Sequence, residues 1–287
     1  MIKVNYLNDP HLKEWYCEKI LKKIKSVDKS NVSTTNYGKI WNQRLLNEEI
    51  LHDIICEPLS LLQKRYKWIA NYMRCPNMRA KLNQTIISHY IKYSLLDTTL
   101  RRELMSRMNV KVCPYCNQQY IYAISFENNE NEKIYLGDLD HVLPKSAYEL
   151  FALSLWNLVP SCKSCNQSFK RTKNVNILSP IEDGFNDDCI FTVDFKSAGA
   201  VIGESYDFEV SWKTVPQENN QDKINKIEQN LNLFKLNELY EVHKQEVKAI
   251  LRRKKLCSTG IYRGINIVPE NSENDLLHFW VVGQKSC

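Results

Sequence analysis

Two Cys-x-x-Cys pairs, Cys113-Pro114-Tyr115-Cys116 and Cys162-Lys163-Ser164-Cys165, constrain this chain more than any other feature of it. Two cysteines separated by two residues share one tight turn, so both sulfurs can face the same ion, and two such turns supply the four thiolates of a tetrahedral zinc site. If the pairs share an ion, the chain must fold back so that residues 113–116 meet residues 162–165. The interval between them is longer than in a compact zinc ribbon, so a subdomain has to be inserted there. A single Cys-x-x-Cys can equally serve thiol–disulfide exchange. That use fits poorly here. A dithiol oxidoreductase also wants a cis-proline facing the pair, and Thr214-Val215-Pro216 offers one only far downstream, beyond the second pair. Four cysteines in two matched pairs in an intracellular chain favour metal.

A cytoplasmic chain is expected, because Met1 to Cys17 lacks the apolar run of a secretion signal and is interrupted by Asp9, Lys13 and Glu14. The longest uncharged stretch of note, Leu150 to Cys162, carries Asn157 and Pro160 and falls short of the roughly 20 residues that cross a bilayer, so no membrane partner is expected. The 287 residues suffice for one or two domains without disulfides. Cys17, Cys56, Cys75, Cys189, Cys257 and Cys287 have no partner at ligand spacing and read as core or free thiols. The net charge of +6 is unevenly spread: between Lys64 and Lys111, eleven Lys or Arg face only Asp97 and Glu103. Such a stretch suits a polyanion, although solvated helix faces would look the same.

Apolar residues at three- and four-residue spacing, such as Leu12, Trp15, Tyr16, Ile20 and Ile24, predict a helical region over 1–108, with a loop at Asp28 to Gly38 and a new helix near Pro58. Over 109–180 the pattern changes. Tyr120 to Ile124 and Ile134 to Leu136 predict a hairpin around polar Glu127 to Glu132, and residues 162–171 a short helix. The extension 181–287 predicts strands at Ile190 to Phe195 and Tyr206 to Trp212, a loop at Pro216 to Asp222, then one long helix ending in Arg252-Arg253-Lys254-Lys255.

Between the cysteine pairs lie Asp138-Leu139-Asp140-His141-Val142-Leu143-Pro144-Lys145-Ser146 and Trp156-Asn157-Leu158-Val159-Pro160, and the second pair continues into Asn166-Gln167-Ser168-Phe169-Lys170. Over about 61 residues, Cys113 to Lys173, this resembles the HNH endonuclease family in its zinc-containing form. His141, Asn157 and Asn166 fall at the three signature positions, the last being Asn where other members have His. The chemistry of the residues agrees. A phosphodiester resists hydrolysis because the phosphate is anionic and the alkoxide leaves poorly, so a catalyst must activate water and offset developing charge. His141 can accept a proton at neutral pH, and Asp140 and Asn166 offer oxygens to a hard divalent ion.

The resemblance implies an α+β chain in which a ββα-metal core with two zinc knuckles is flanked by a mostly helical N-terminal region and a mixed C-terminal extension. It implies His141 and Asn157 as catalytic residues, Asn157 fixing His141 through a loop contact. Asp140 and Asn166 would hold Mg²⁺ or Mn²⁺, Cys113, Cys116, Cys162 and Cys165 a structural Zn²⁺, and Lys145, Lys170, Arg171 and Lys173 would meet nucleic acid, most simply DNA. The narrower resemblance is to the PtuB-type HNH effectors of Septu-type and retron-linked anti-phage defence systems. It implies an ATPase subunit and a retron or other defence component as partners. Two rivals remain open: a stand-alone restriction or homing-type HNH nuclease, and a zinc-stabilised nucleic-acid-binding module without activity.

Overall fold

Proline and short polar caps set the helix boundaries in the first half of the chain. In the computed structural model, which describes residues 1–27, 47–83, 92–126, 129–215 and 220–258, α1 (Pro10–Lys25) opens on Pro10 with the Asp9 carboxylate accepting from the His11 amide. Its buried residues Leu12, Tyr16, Cys17, Ile20 and Ile24 repeat at helical spacing, each contributing roughly 1.5–3 kcal/mol where a large apolar side chain is fully covered. The Asn47 side chain caps α2 (Glu48–Cys56) through the amides of Glu49 and Ile50. Three short helices follow, α3 (Leu59–Arg65), α4 (Lys67–Arg74) and α5 (Pro76–Leu82), and then α6 (Thr98–Met108), capped by Asp97. The loop expected at Asp28 to Gly38 lies outside the described residues.

Cys17 and Cys56, expected as separate core thiols, are instead joined in a disulfide between α1 and α2, with a Cα separation of 6.1 Å. The sequence could not pair them. They are 39 residues apart, and only the packing of the two helices brings them together.

Among the described residues, three two-stranded antiparallel sheets follow. The hairpin of β1 (Ala123–Phe126) and β2 (Asn129–Tyr135) includes residues assigned above to the polar turn, because backbone ladder bonds do not require apolar side chains. β3 (Gly137–His141) pairs with β4 (Leu158–Cys162), Gly137 opposite Cys162 and His141 opposite Leu158, and a short helix, Ser164–Lys170, comes next. The long segment between β3 and β4 is tied to the preceding helical region by buried polar bonds. Tyr16 donates to the Leu153 carbonyl at 2.8 Å, Tyr6 to that of Leu158, and the Trp156 indole to that of Cys56 at 2.9 Å. Each satisfies a buried carbonyl and contributes about 1 kcal/mol net.

The chain divides into two units, Met1–Gly184 and Phe185–Cys287. In the second, β5 (Cys189–Phe195) pairs with β6 (Phe208–Thr214), and Trp212 meets Phe191 and Tyr240 edge-on. The expected long helix is three: α7 (Gln221–Leu233), α8 (Leu236–Glu241) and α9 (Lys244–Ser258). The first break falls at Lys235, whose φ of 53° is left-handed, a conformation that no apolar periodicity reveals. Among the described residues no helix is long and apolar enough to cross a membrane.

Gly137 fixes how closely the first knuckle approaches β3. A Cβ there would lie 2.7 Å from the Ile121 Cβ and 3.0 Å from the Ser161 carbonyl oxygen. Gly137→Ala is expected to cost about 1–3 kcal/mol through overpacking, read as a lowered melting temperature. An unchanged melting temperature would mean that the approach is not tight.

Candidate functional site

The first Cys-x-x-Cys forms a turn in which the Asn117 amide donates to the Cys113 carbonyl at 2.8 Å, Asn117 taking a left-handed φ of 53°, and the Cys113 amide donates to the Gln119 carbonyl at 2.9 Å. The second pair joins the end of β4 to the Ser164–Lys170 helix. The four sulfurs lie within 4.8 Å of one another, all in buried residues, with Cys116 and Cys162 Sγ 3.9 Å apart. Ligands about 2.3 Å from a tetrahedral zinc would stand about 3.8 Å from each other, so this cluster can hold such an ion. Burial pushes the Cys113 thiol above its ordinary range, and a bound dication is what would reverse that and keep four thiolates together. Cys17, His52 and Cys56 also meet the distance condition for a metal, but the disulfide leaves Cys17 and Cys56 without thiolates to offer.

Tyr115, inside the first pair, is fully buried and donates to Asp140 Oδ2 at 2.7 Å. The knuckle therefore touches the strand chemistry directly. Asp140 Oδ1 takes a hydrogen bond from Lys170 Nζ at 3.1 Å, and the same ammonium donates to the His141 carbonyl. Burial raises the Asp140 carboxyl above the usual range, against the opposing pull of Lys170 and Tyr115. The tyrosine of the first knuckle and the last residue of the second knuckle's helix thus converge on the last two residues of β3.

His141 Nε2 lies 3.0 Å from the Ala152 carbonyl, which as an acceptor calls for the Nε2–H tautomer and leaves Nδ1 as the basic nitrogen. Burial lowers its pKa to about 4, helped by the cations Lys145, Lys170 and Arg101, so the ring is neutral at pH 7. Asn157 holds the loop that follows. Its Oδ1 accepts from the Leu143 amide at 2.7 Å, and its Nδ2 donates to the carbonyls of Leu143 at 3.1 Å and Phe151 at 3.0 Å. It spans the loop leaving His141 and the turn that presents the Ala152 carbonyl. Asn157 is buried with its amide fully engaged, so its place is that of a positioning residue rather than one that touches a substrate.

A cleft of about 160 Å³ is lined by Asp140, His141, Asn166, Tyr93, Lys145 and Arg171 among others. Asn166 Nδ2 lies 3.5 Å from Asp138 Oδ2, which leaves its amide oxygen for the cleft. The oxygens of Asp140 and Asn166 are hard donors. That set fits a divalent ion that keeps most of its waters, on condition that it shares Oδ1 with the Lys170 ammonium or displaces it.

Of the four cations expected to meet nucleic acid, Lys145, Arg171 and Lys173 are exposed. Lys170 is not. It is 1% exposed and ion-paired with Asp140, because the helix turns it inward beneath β3. Sequence reasoning also passed over Tyr115, Asp138 and Tyr93. Tyr115 and Asp138 stand within the very motifs that were read, and Tyr93 carries no local signal at all. Comparison of the chain with protein-family models, with curated proteins and with solved structures finds no match.

Removing one member of a buried ion pair leaves an uncompensated charge. Lys170→Met is therefore expected to destabilise the protein by about 3–5 kcal/mol in urea unfolding, while Lys173→Met stays within about 0.5 kcal/mol. Equal effects of the two substitutions would contradict a buried Lys170.

Proposed function

We propose that this chain is a metal-dependent endonuclease of the HNH type, cleaving nucleic-acid phosphodiester bonds, with DNA as the most direct substrate. The single observation that carries the reading is the state of His141: a neutral ring, tied by Nε2 to the Ala152 carbonyl, lining a cleft that it shares with Asp140 and Asn166. The order of β3, β4 and a short helix, pinned by four cysteines, supports a ββα-metal core.

In this reading Nδ1 of His141 accepts the proton of the attacking water as its oxygen bonds to phosphorus, the bond from phosphorus to the leaving oxygen breaks, and that oxygen takes a proton from a water molecule. Asn157 keeps the ring aimed by holding Leu143 on one side and the Phe151 carbonyl on the other. Tyr115 and Lys170 fix the rotamer of Asp140. Mg²⁺ or Mn²⁺ held by Asp140 and Asn166 would supply the positive charge that offsets the charge gathering on the phosphate and the leaving oxygen. Lys145 and Arg171 contribute cationic side chains at the same cleft.

The narrower resemblance adds a role in anti-phage defence, with an ATPase subunit and a retron or similar component controlling cleavage. One observation favours a second reading, a nucleic-acid-binding module with a silent centre: the Lys170 ammonium rests on the carboxylate that a cation would need.

Incubating purified protein with plasmid and single-stranded DNA in Mg²⁺ or Mn²⁺ separates the two. The nuclease reading predicts cutting that EDTA abolishes and that His141→Ala lowers by about 10²–10⁴-fold with the fold intact. DNA binding without cutting, in the protein alone and with its genomic-neighbour partners added, would leave the silent module. Undiminished cutting by His141→Ala would remove His141 from the chemistry.

A further inference from the structure

Tyr93 and Arg101 come from the helical segment ahead of the first cysteine pair, outside the 61 residues that carry the HNH resemblance. Tyr93 nevertheless lines the cleft, its ring centroid 4.7 Å from that of His141 and nearly edge-on to it. Two cations rest on the same ring, Lys145 Nζ at 4.2 Å from its centroid and Arg101 Cζ at 5.2 Å. Lys145 and Arg171 line the cleft with Tyr93, whereas Arg101 stands against the Tyr93 ring outside that lining.

Among the described residues, none of Arg101, Lys145 and Arg171 forms an ion pair with a carboxylate. Arg101 is further underused: Nη2 reaches the Leu96 carbonyl only at 3.4 Å, and Nε is buried with no acceptor. Arg65 and Arg107 in the same unit are instead tied to Asp53 and Glu103. A buried N–H left without a partner is costly, and a guanidinium fork laid on an aromatic ring beside other cations is the arrangement that grips a phosphate.

We propose that Tyr93 and Lys145, which line this cleft, and Arg101, which stands against the Tyr93 ring, form a phosphate-binding surface, in which the Arg101 guanidinium donates to a backbone phosphate of the nucleic-acid strand next to the one that His141 faces. The inference rests on the nuclease reading for the source of the phosphate, while the anion site itself does not. Tyr93 acts as the platform on which both cation heads rest, and the helical segment thereby becomes part of the substrate site.

The test uses the full chain carrying His141→Ala, so that no strand is consumed, and two probes: a fluorescein-labelled oligodeoxynucleotide read by anisotropy and inorganic pyrophosphate read by calorimetry. Arg101→Gln is expected to weaken binding of both by about tenfold and to flatten the salt dependence of oligonucleotide binding by about one phosphate contact. Arg102→Gln, the same charge change one residue on, should leave the affinity within about twofold apart from its general charge effect. Arg101→Lys should recover part of the loss, which a merely misfolded variant would not do, and Tyr93→Phe should bind as the parent because the ring is kept. Equal affinities for Arg101→Gln and Arg102→Gln, or no binding of either probe by the parent, overturn the proposal. Pyrophosphate binding through Arg101 in a protein that neither binds nor cuts DNA would sink the nuclease reading and keep the anion site. With His141 restored, DNA cutting with unchanged KM in Arg101→Gln would do the reverse.

Discussion

Four buried sulfurs within 4.8 Å of one another are the constraint on which the candidate site depends. As thiolates they repel, and as thiols they make weak bonds in a place where strong ones are needed. A single dication resolves both difficulties, with apparent binding free energies of about 10–16 kcal/mol in zinc-finger peptides. That energy would be spent on geometry. It would lock the turn at residues 113–116 to the junction of β4 and the short helix, and so fix Tyr115 and Lys170, the two groups that hold Asp140. On this account the tyrosine between the first two cysteines is a strut from the metal cluster to the carboxylate. The second cysteine pair likewise sets where Asn166 stands.

The helical region does for the loop what the cysteines do for the strands. The buried hydroxyls of Tyr6 and Tyr16 donate to the carbonyls of Leu158 and Leu153, and the Trp156 indole of the loop donates back to the Cys56 carbonyl, so that none of these carbonyls is left unpaired at a cost. Asn157 completes the arrangement from inside the loop. The consequence is a histidine whose tautomer is set by one carbonyl and whose ring position is set by the edge of Tyr93. Low solvent access then keeps that ring neutral at the pH where a base is useful.

How much of this could be read from sequence follows the range of each signal. The four cysteines were legible because ligand chemistry fixes their spacing, and the structure brings all four together. Asp140, His141 and Asn166 were legible as neighbours in a motif, and they line one cleft. Lys170 was misread. A lysine near the end of a short helix is normally solvated, and only the tertiary fold turns this one onto Asp140. Tyr93 and the Cys17–Cys56 disulfide were beyond reach for the same reason, since each joins elements far apart in the chain. The break at Lys235 depends on one backbone angle, which apolar periodicity does not encode.

The central claim is that one metal cluster holds a second, hard-ligand site in place beside His141. Anomalous diffraction from crystals of the zinc-loaded protein soaked in Mn²⁺, collected on either side of the zinc and manganese edges, tests it most directly. The account predicts a zinc peak at the centre of Cys113, Cys116, Cys162 and Cys165 and a manganese peak between Asp140 and the Asn166 amide oxygen. A zinc peak elsewhere, or manganese that avoids Asp140 while its ion pair with Lys170 stays intact, would contradict it.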